Sequence, residues 1–531
     1  MAWVLVVAPP VVISCHTLQN NDLPMHLAVG NWILDHREVP DRDPFSANGS
    51  NQTWVPHEWL AAVGFASVER AFGAPGLLTL TMLLAGILAV LHRGVMKHLG
   101  VGLEEHLWLS VPLWIVAGQR LMLRPHMFSL ILVFAVWWVL FVGRSRPRVL
   151  WFLPLLLASW ANLHGSFYLG LGIVALGLGM APGHRASARQ RWLILAACAA
   201  ALLVTPHPIA GVLFPLTLTS DPVFMQEIAE WSPPFGSARG SELFRETPTF
   251  ALSLLWIAAI AYGVVCGRRL PLPYRIGCAA ALVLYMRHQR YAALFVLATL
   301  PFVTACVARL ATPNRRWIAR LTAAAGTLLF LYPGYPATWN QFRGPPTGGG
   351  SELWGANLPL FETELLVAAG YRGTVVCEYE YGGVLAWKSR GTLRPTMDSR
   401  NTVYGAQRFL EHQTGLVTGE IPLLGSAVAA VIRSPWVTAD RARLHARLED
   451  DPQWRLALFT PLTFVYVRVG QGELDARAYR YLAPGTGRIR QPLDGDRDRL
   501  ARELEVAGQM GWHPSEAQWT VLASWGIERP E

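Results

Sequence analysis

Charge is scarce in this chain: Asp, Glu, Lys and Arg make up 15% of its 531 residues, against roughly 25% in an average soluble domain. Cysteine is scarcer. Five of the six (Cys15, Cys198, Cys266, Cys278 and Cys306) fall in apolar stretches and Cys377 stands alone in the tail, so no disulfide framework exists. Motifs that mark several enzyme classes are missing from the tail. It has no nucleophile elbow, zinc-ligand spacing or internal repeat, and no Lys-Ser/Thr follows Gly382 and Gly383 as a phosphate loop requires. No basic stripe is interleaved with aromatics, so the net charge of +9 needs no nucleic-acid partner. The apolar start, 3–18, lacks a charged n-region and an A-x-A site; it reads as a retained anchor helix rather than a removed signal.

Apolar residues are abundant instead, 52% of the chain, and concentrated before about residue 335. Eleven stretches (2–18, 75–92, 105–122, 126–143, 149–163, 165–181, 192–208, 250–266, 274–288, 291–311 and 318–334) predict membrane helices. Several are shorter than the ~20 residues that cross a ~30 Å hydrocarbon layer. Basic residues fill every second connection: 92–104, 144–148, 181–191, 267–275 and 313–320 hold 2, 3, 3, 3 and 3 Lys/Arg, 14 in total. The positive-inside rule then puts the N-terminus in the cytoplasm. Retaining both 144–148 and 185–191 inside requires a hairpin, not one long helix, around Asn162–Gly165. The fold class is a multi-pass all-α membrane bundle over 1–335, with outer loops 19–74 and 209–249. A soluble α/β domain over 350–531, with a helical C-terminus, follows on the outer side.

Two pairs of arginines break the charge rule. Arg120 and Arg124 sit at one outward boundary, Arg287 and Arg290 at another, and cations kept on that side have an anion to hold or snorkel to the interface. The outer loop 19–74 carries seven carboxylates (Asp22, Asp35, Glu38, Asp41, Asp43, Glu58 and Glu69) against three arginines. Its stretches 24–34 and 57–72 have helical, amphipathic spacing and predict two helices lying flat on the outer leaflet.

Five stretches, NDLPMHLAVGNWILDHREVPDRDPFSANGSNQTWVPHEWLA, RLMLRPHMFSL, SWANLHGSFYLG, EIAEWSPP and MDSRNTVYG, resemble in this order bacterial polytopic glycosyltransferases of the GT-C fold. That class includes protein O-mannosyltransferases and arabinofuranosyltransferases, and the resemblance is to a branch without a defined substrate. It implies an enzyme of the bacterial cytoplasmic membrane that moves a sugar from a polyprenyl-phosphate carrier to an acceptor outside, whether glycolipid, glycan or protein. In such enzymes a carboxylate just after the first transmembrane helix activates the acceptor, and the matching position is Asp22. Its neighbour is Asn21, where many relatives carry an adjacent acidic pair, so a metal bridged by such a pair is not expected.

The residues themselves leave alternatives. Asp22 suits a general base, and equally a helix N-cap. Glu58 is a possible second carboxylate, and His26 and His57 with it are weak candidates for a divalent metal, the one cofactor in prospect. Arg120, Arg124, Arg287 and Arg290, with His288, suit a carrier phosphate in a partly desolvated cavity. Asn162 and His164 form a polar hairpin tip that either touches donor or simply turns the chain. Glu230, a candidate with Glu58 to share the catalytic work of Asp22, has Glu227 on the same expected helical face and lies beside Trp231, an arrangement that suits a sugar or an interfacial helix alike.

In the tail, 358–369, 403–412, 439–450, 496–510 and 514–526 read as helices, and 374–380, 427–432 and 462–468 as strands. A flexible GPPTGGG linker precedes them. Rival functions are a glycan ligase or polymerase of the same fold, a carrier transporter or flippase, and a membrane scaffold. A transporter would place ionisable groups near the midplane, whereas here they gather at the outer boundary.

Overall fold

The computed structural model describes residues 2–49, 52–180, 185–237, 239–265, 270–308, 313–331, 353–355, 357–493 and 495–529. The GPPTGGG linker lies outside these. Sixteen α-helices precede residue 335 among the described residues. They are α1 (Ala2–Ser14), α2 (Asp22–His36), α3 (Trp59–His98), α4 (Leu103–Trp108), α5 (Ser110–Gly118) and α6 (His126–Gly143). Next come α7 (Phe152–Leu163), α8 (Phe167–Gly179), α9 (Ala188–Ala201), α10 (Pro208–Ser220), α11 (Pro222–Glu227) and α12 (Arg239–Arg245). The set ends with α13 (Pro248–Val265), α14 (Leu272–Arg287), α15 (Ala292–Val307) and α16 (Arg316–Leu331).

Every one of the eleven expected segments contains helix, but the expected number of spans is not what the structure shows. Among the described residues three helical stretches are long and apolar enough to cross a membrane: Trp59–His98, His126–Gly143 and Gln289–Val307. Trp3–Ser14, Phe167–Gly179, Pro208–Thr217 and Thr249–Val265 are apolar but shorter. Short helices account for the shortfall. The segment 105–122 divides at Leu109 into α4 and α5, and the twelve residues of α7 rise only ~18 Å. The chain breaks at His164, so a turn over 164–166 joins α7 to α8 and Asn162 lies in the last turn of α7.

Two local features shape the end of the bundle that carries the loop 19–74. In α3 the backbone kinks at Gly73, whose φ of +60° suits glycine, with Pro75 just beyond; the kink divides the amphipathic part from the long apolar part. α2 packs on the first part of α3 at close range, because a Cβ at Gly30 would lie 2.1 Å from the Ala62 carbonyl oxygen. At the centre of the bundle, every residue of α15 from Ala292 to Thr304 is buried, the signature of a helix enclosed on all sides.

The tail is built on one mixed five-stranded sheet, ordered β2-β1-β3-β5-β4, from β1 (Gly373–Cys377), β2 (Leu393–Pro395), β3 (Ala429–Arg433), β4 (Trp454–Phe459) and β5 (Thr463–Arg468). β1 runs parallel to β2 and β3, and β5 antiparallel to β3 and β4. Alternate residues serve opposite faces, and both faces are covered. Val375, Cys377, Val431 and Val465 join Leu366 and Leu385 from α17 (Leu360–Ala368) and α18 (Gly382–Lys388). Val376, Ile432, Phe464 and Tyr466 join Leu416, Leu444 and Leu500 from α19 (Asn401–Thr418), α20 (Ala442–Asp450) and α21 (Arg497–Gln509); α22 (Glu516–Ser524) closes the chain. Strands β2 and β4 were not expected.

This domain docks on the first outer loop. The Leu18 N–H donates to the Leu353 carbonyl and the Ala47 N–H to that of Pro395. A Cβ at Gly383 would lie 2.9 Å from the Met25 backbone nitrogen, so α18 lies directly against α2. The buried Arg400 guanidinium bonds Asp43 at 2.6 Å and grips Asp398 bidentately at 2.7 and 2.9 Å, over the rings of Trp54 and Phe45. Such a forked, charge-assisted contact fixes orientation as well as position.

Candidate active site

α2 begins at Asp22, and the start of the helix decides where that side chain goes. Asn21, at the cap position, makes no side-chain cap bond, and the Asp22 N–H is taken by Asn20 Oδ1 at 3.0 Å. The Asp22 carboxylate turns instead to Arg124 Nη2, 2.5 Å away. The same guanidinium donates through Nε to Asn20 Oδ1 at 2.7 Å and through Nη1 to Glu230 at 2.5 Å. Arg120, four residues earlier, reaches the other Glu230 oxygen at 3.1 Å. A chain of alternating charge, Asp22–Arg124–Glu230–Arg120, results, and its first three members line a cavity of about 420 Å³.

Burial opposes the Glu230 charge, but the Arg120 and Arg124 guanidinium groups prevail and hold its carboxyl well below the usual carboxylate range. Burial likewise works against the Arg124 charge, and Asp22 and Glu230 outweigh it, raising its pKa. Both remain ionised at any ordinary pH.

Glu58, just before α3, forms a second node. His57 Nε2 and His164 Nε2 each lie 3.5 Å from one of its oxygens, and His26 Nε2 lies 3.7 Å from the other. Burial penalises its charge, yet the imidazoles facing it, His57 first, hold its carboxyl well below the ordinary value. Burial itself pushes the His164 imidazole down to about 3 and lowers that of His26, so both rings are neutral near pH 7. His164 Nδ1 is shared with the hydroxyls of Ser129 and Ser166, each at 2.8 Å. Among the described residues no group of three or more His, Cys, Asp or Glu side chains is placed to hold a metal ion. His26 and His57 serve as partners of Glu58, and the metal expectation has no donor set behind it.

The remaining expected residues divide. Arg290 lines the cavity and stacks on the Trp231 ring, 4.1 Å from its centroid, so that face of Trp231 is taken. His288 donates to the Trp231 carbonyl at 2.6 Å and anchors the loop rather than lining the cavity. Asn162 accepts from Trp59 Nε1 at 2.7 Å and donates to the Ala158 and Val204 carbonyls, so its amide is spent on the hairpin. Arg287 ends α14 exposed and outside the cavity lining. The expected helical face shared by Glu227 and Glu230 does not form. The helix stops at Ile228, whose ψ of 110° is extended, leaving Glu227 exposed and Glu230 turned inward.

Sequence reasoning missed the tail's contribution. Tyr379, Ser399 and Asn401 line the cavity, and Tyr379 donates to Asn401 Oδ1 at 2.8 Å. The stretch MDSRNTVYG carries the last two; it had stood out only by resemblance, without a role. A side chamber of about 140 Å³ opens beside Asp22 and Glu58, lined by Trp54, Trp59, Phe214 and Asn401. On the other side, a small slot walled by Arg120, Leu130, Val133, Leu169 and Leu294 meets the cavity at His164 and Arg290.

No family model matches the chain, and no curated protein matches it. Two solved structures superpose weakly. One is the oligosaccharyltransferase of Archaeoglobus fulgidus in the apo form, at 11% identity and a TM-score of 0.46, covering 88% of this chain and 74% of that one. The other is the archaeal oligosaccharyltransferase AglB from Archaeoglobus fulgidus in complex with an inhibitory peptide and a dolichol-phosphate, at 12% identity and a TM-score of 0.45, covering 99% and 86%. Scores this low at such identities do not establish a shared activity.

Proposed function

We propose that this chain is an integral membrane glycosyltransferase that moves a sugar from a polyprenyl-phosphate carrier to an acceptor on the outer face of a bacterial cytoplasmic membrane. The observation that carries the reading is the placement of the Asp22 carboxylate beside Arg124 on a cavity that Arg290 also lines, with Arg120 in the adjoining slot. Displacement at an anomeric carbon needs a group to receive the acceptor's proton and cations to receive the departing phosphate. The acceptor oxygen forms the new bond to the anomeric carbon while its proton passes to Asp22. The carbon–oxygen bond to phosphate breaks, and its electron pair leaves on the polyprenyl phosphate facing the arginines.

Among the carboxylates expected to act, Asp22, Glu58 and Glu230, Asp22 suits the base best. Glu230 is bound by two guanidinium groups and Glu58 is ringed by imidazoles, whereas Asp22 has one cationic partner and is the more exposed of the pair Asp22 and Glu58, at 31% against 19%. The apolar slot beside Arg120 and Arg290 suits the first isoprene units, and the chamber beside Asp22 suits the acceptor. The test is mass spectrometry of envelope glycolipids, glycans and glycoproteins with and without the gene. A product lacking one sugar unit in the deletion is expected; an unchanged set of envelope glycans contradicts the reading.

A further inference from the structure

The guanidinium groups that suit a carrier phosphate already hold an anion, and that anion belongs to the protein. Each oxygen of Glu230 takes one arginine: Oε1 binds Arg124 Nη1 at 2.5 Å and Oε2 binds Arg120 Nη1 at 3.1 Å. A carboxylate spanning two guanidinium groups occupies the same place, in charge and geometry, as two oxygens of a phosphate. We infer that Glu230 is an internal stand-in for the donor phosphate, which must be displaced before the carrier lipid engages Arg120 and Arg124.

The surrounding contacts say which way it moves. Glu230 sits on a short turn, Ala229–Trp231, isolated by extended residues at Ile228 and Ser232. That turn is tied to the segment 288–290: Gln289 N–H donates to the Ser232 carbonyl at 3.0 Å, His288 to that of Trp231, and Arg290 lies on the Trp231 ring. Glu230 is thus bonded at its tip to the arginines near α6 and at its base to the turn that precedes α15. A phosphate that takes over Arg120 and Arg124 releases the tip, while Arg290, on the same turn as the base, is drawn towards the new anion. Asp22 keeps its own bond to Arg124 throughout, so the base is not lost when Glu230 leaves.

This inference rests on the proposed donor and is separable from it by binding measurements on the intact protein in lipid nanodiscs, with a polyprenyl monophosphate as the probe. Glu230→Gln keeps the shape but removes the competing charge and leaves one acceptor oxygen where there were two. It is expected to bind the probe at least about fivefold tighter than the wild type, the lower end of a coupling between two sites. Affinity unchanged or weaker in Glu230→Gln, with the wild type binding, overturns the stand-in and leaves the donor reading intact. Absence of binding by both proteins overturns both. In the wild type, amide hydrogen exchange across 228–232 should quicken when the probe binds, a readout independent of the variant; exchange that slows there contradicts displacement.

Discussion

Arg287 and Arg290 stand three residues apart, and only one of them faces the cavity. A continuous helix would have put both on one face, but His288 is extended, with φ −145° and ψ 118°, and the helix ends between them. Replacing Arg290 with Ala should weaken binding of a polyprenyl monophosphate by about 1.5–3 kcal/mol, the range for a charge-assisted bond. Arg287→Ala should leave it unchanged; equal losses in both would return the two arginines to one face. His164 carries a pH signature. Its pKa falls from 6.5 in the unfolded chain to about 3 here, because burial disfavours the charged ring. The unfolded state therefore binds the extra proton first, and the folded state loses stability as pH falls from about 6.5 towards 3, by up to about 1.4 kcal/mol per pH unit. The depressed carboxyl of Glu58 adds in the same direction at lower pH, below the carboxylate value of an unfolded chain. Thermal melts of His164→Asn between pH 4 and 7 should show a shallower pH dependence than the wild type; a parallel dependence would remove His164 as a contributor.

The close approach of α2 to α3 holds Asp22 and Glu58 within one cavity, and Gly30 permits it. Gly30→Val should cost about 1–3 kcal/mol, because the new side chain meets the Ala62 carbonyl and the two helices must part. A melting temperature equal to that of the wild type would show that the approach is not constrained. Docking of the tail depends on Arg400 in the same way. Its loss leaves Asp43 and Asp398 buried without their cation, so Arg400→Ala should destabilise the chain by about 3–5 kcal/mol and expose 353–400 to protease. At this scale the sequence was most informative about helices and least about where they stop. Apolar runs located all eleven helical segments, and the strands β1, β3 and β5 followed from alternation. The breaks at Ile228 and His288 carry no Gly or Pro, so the local sequence did not announce them, whereas the one at Leu109 lies a turn before Pro112. The partnership of Arg400 with Asp43 joins residues 357 positions apart and is a product of tertiary folding alone.

At the scale of the whole molecule, the charge asymmetry of the loops makes a claim about sides. In a background without native cysteines, Ser187→Cys should resist an impermeant reagent on intact cells stripped of their outer barrier, while Ser524→Cys is labelled. The opposite pattern would invert the orientation and put the cavity in the cytoplasm. Arg120 and Arg124 were legible because they broke that asymmetry, and Asp22 because of its place after the first helix. Tyr379, Ser399 and Asn401 were not, because the tail had no charge pattern pointing back to the bundle. The central claim is that Asp22 takes the acceptor's proton in a cavity whose arginines receive the phosphate. The measurement that meets it most directly is transfer by Asp22→Asn, alongside Glu58→Gln, with polyprenyl-phosphate binding measured on the same preparations. The account predicts intact folding and carrier binding with transfer lowered ~10²–10⁴-fold, the usual contribution of a positioned general base. Near-normal transfer by Asp22→Asn would contradict it, and a large loss confined to Glu58→Gln would move the base to Glu58.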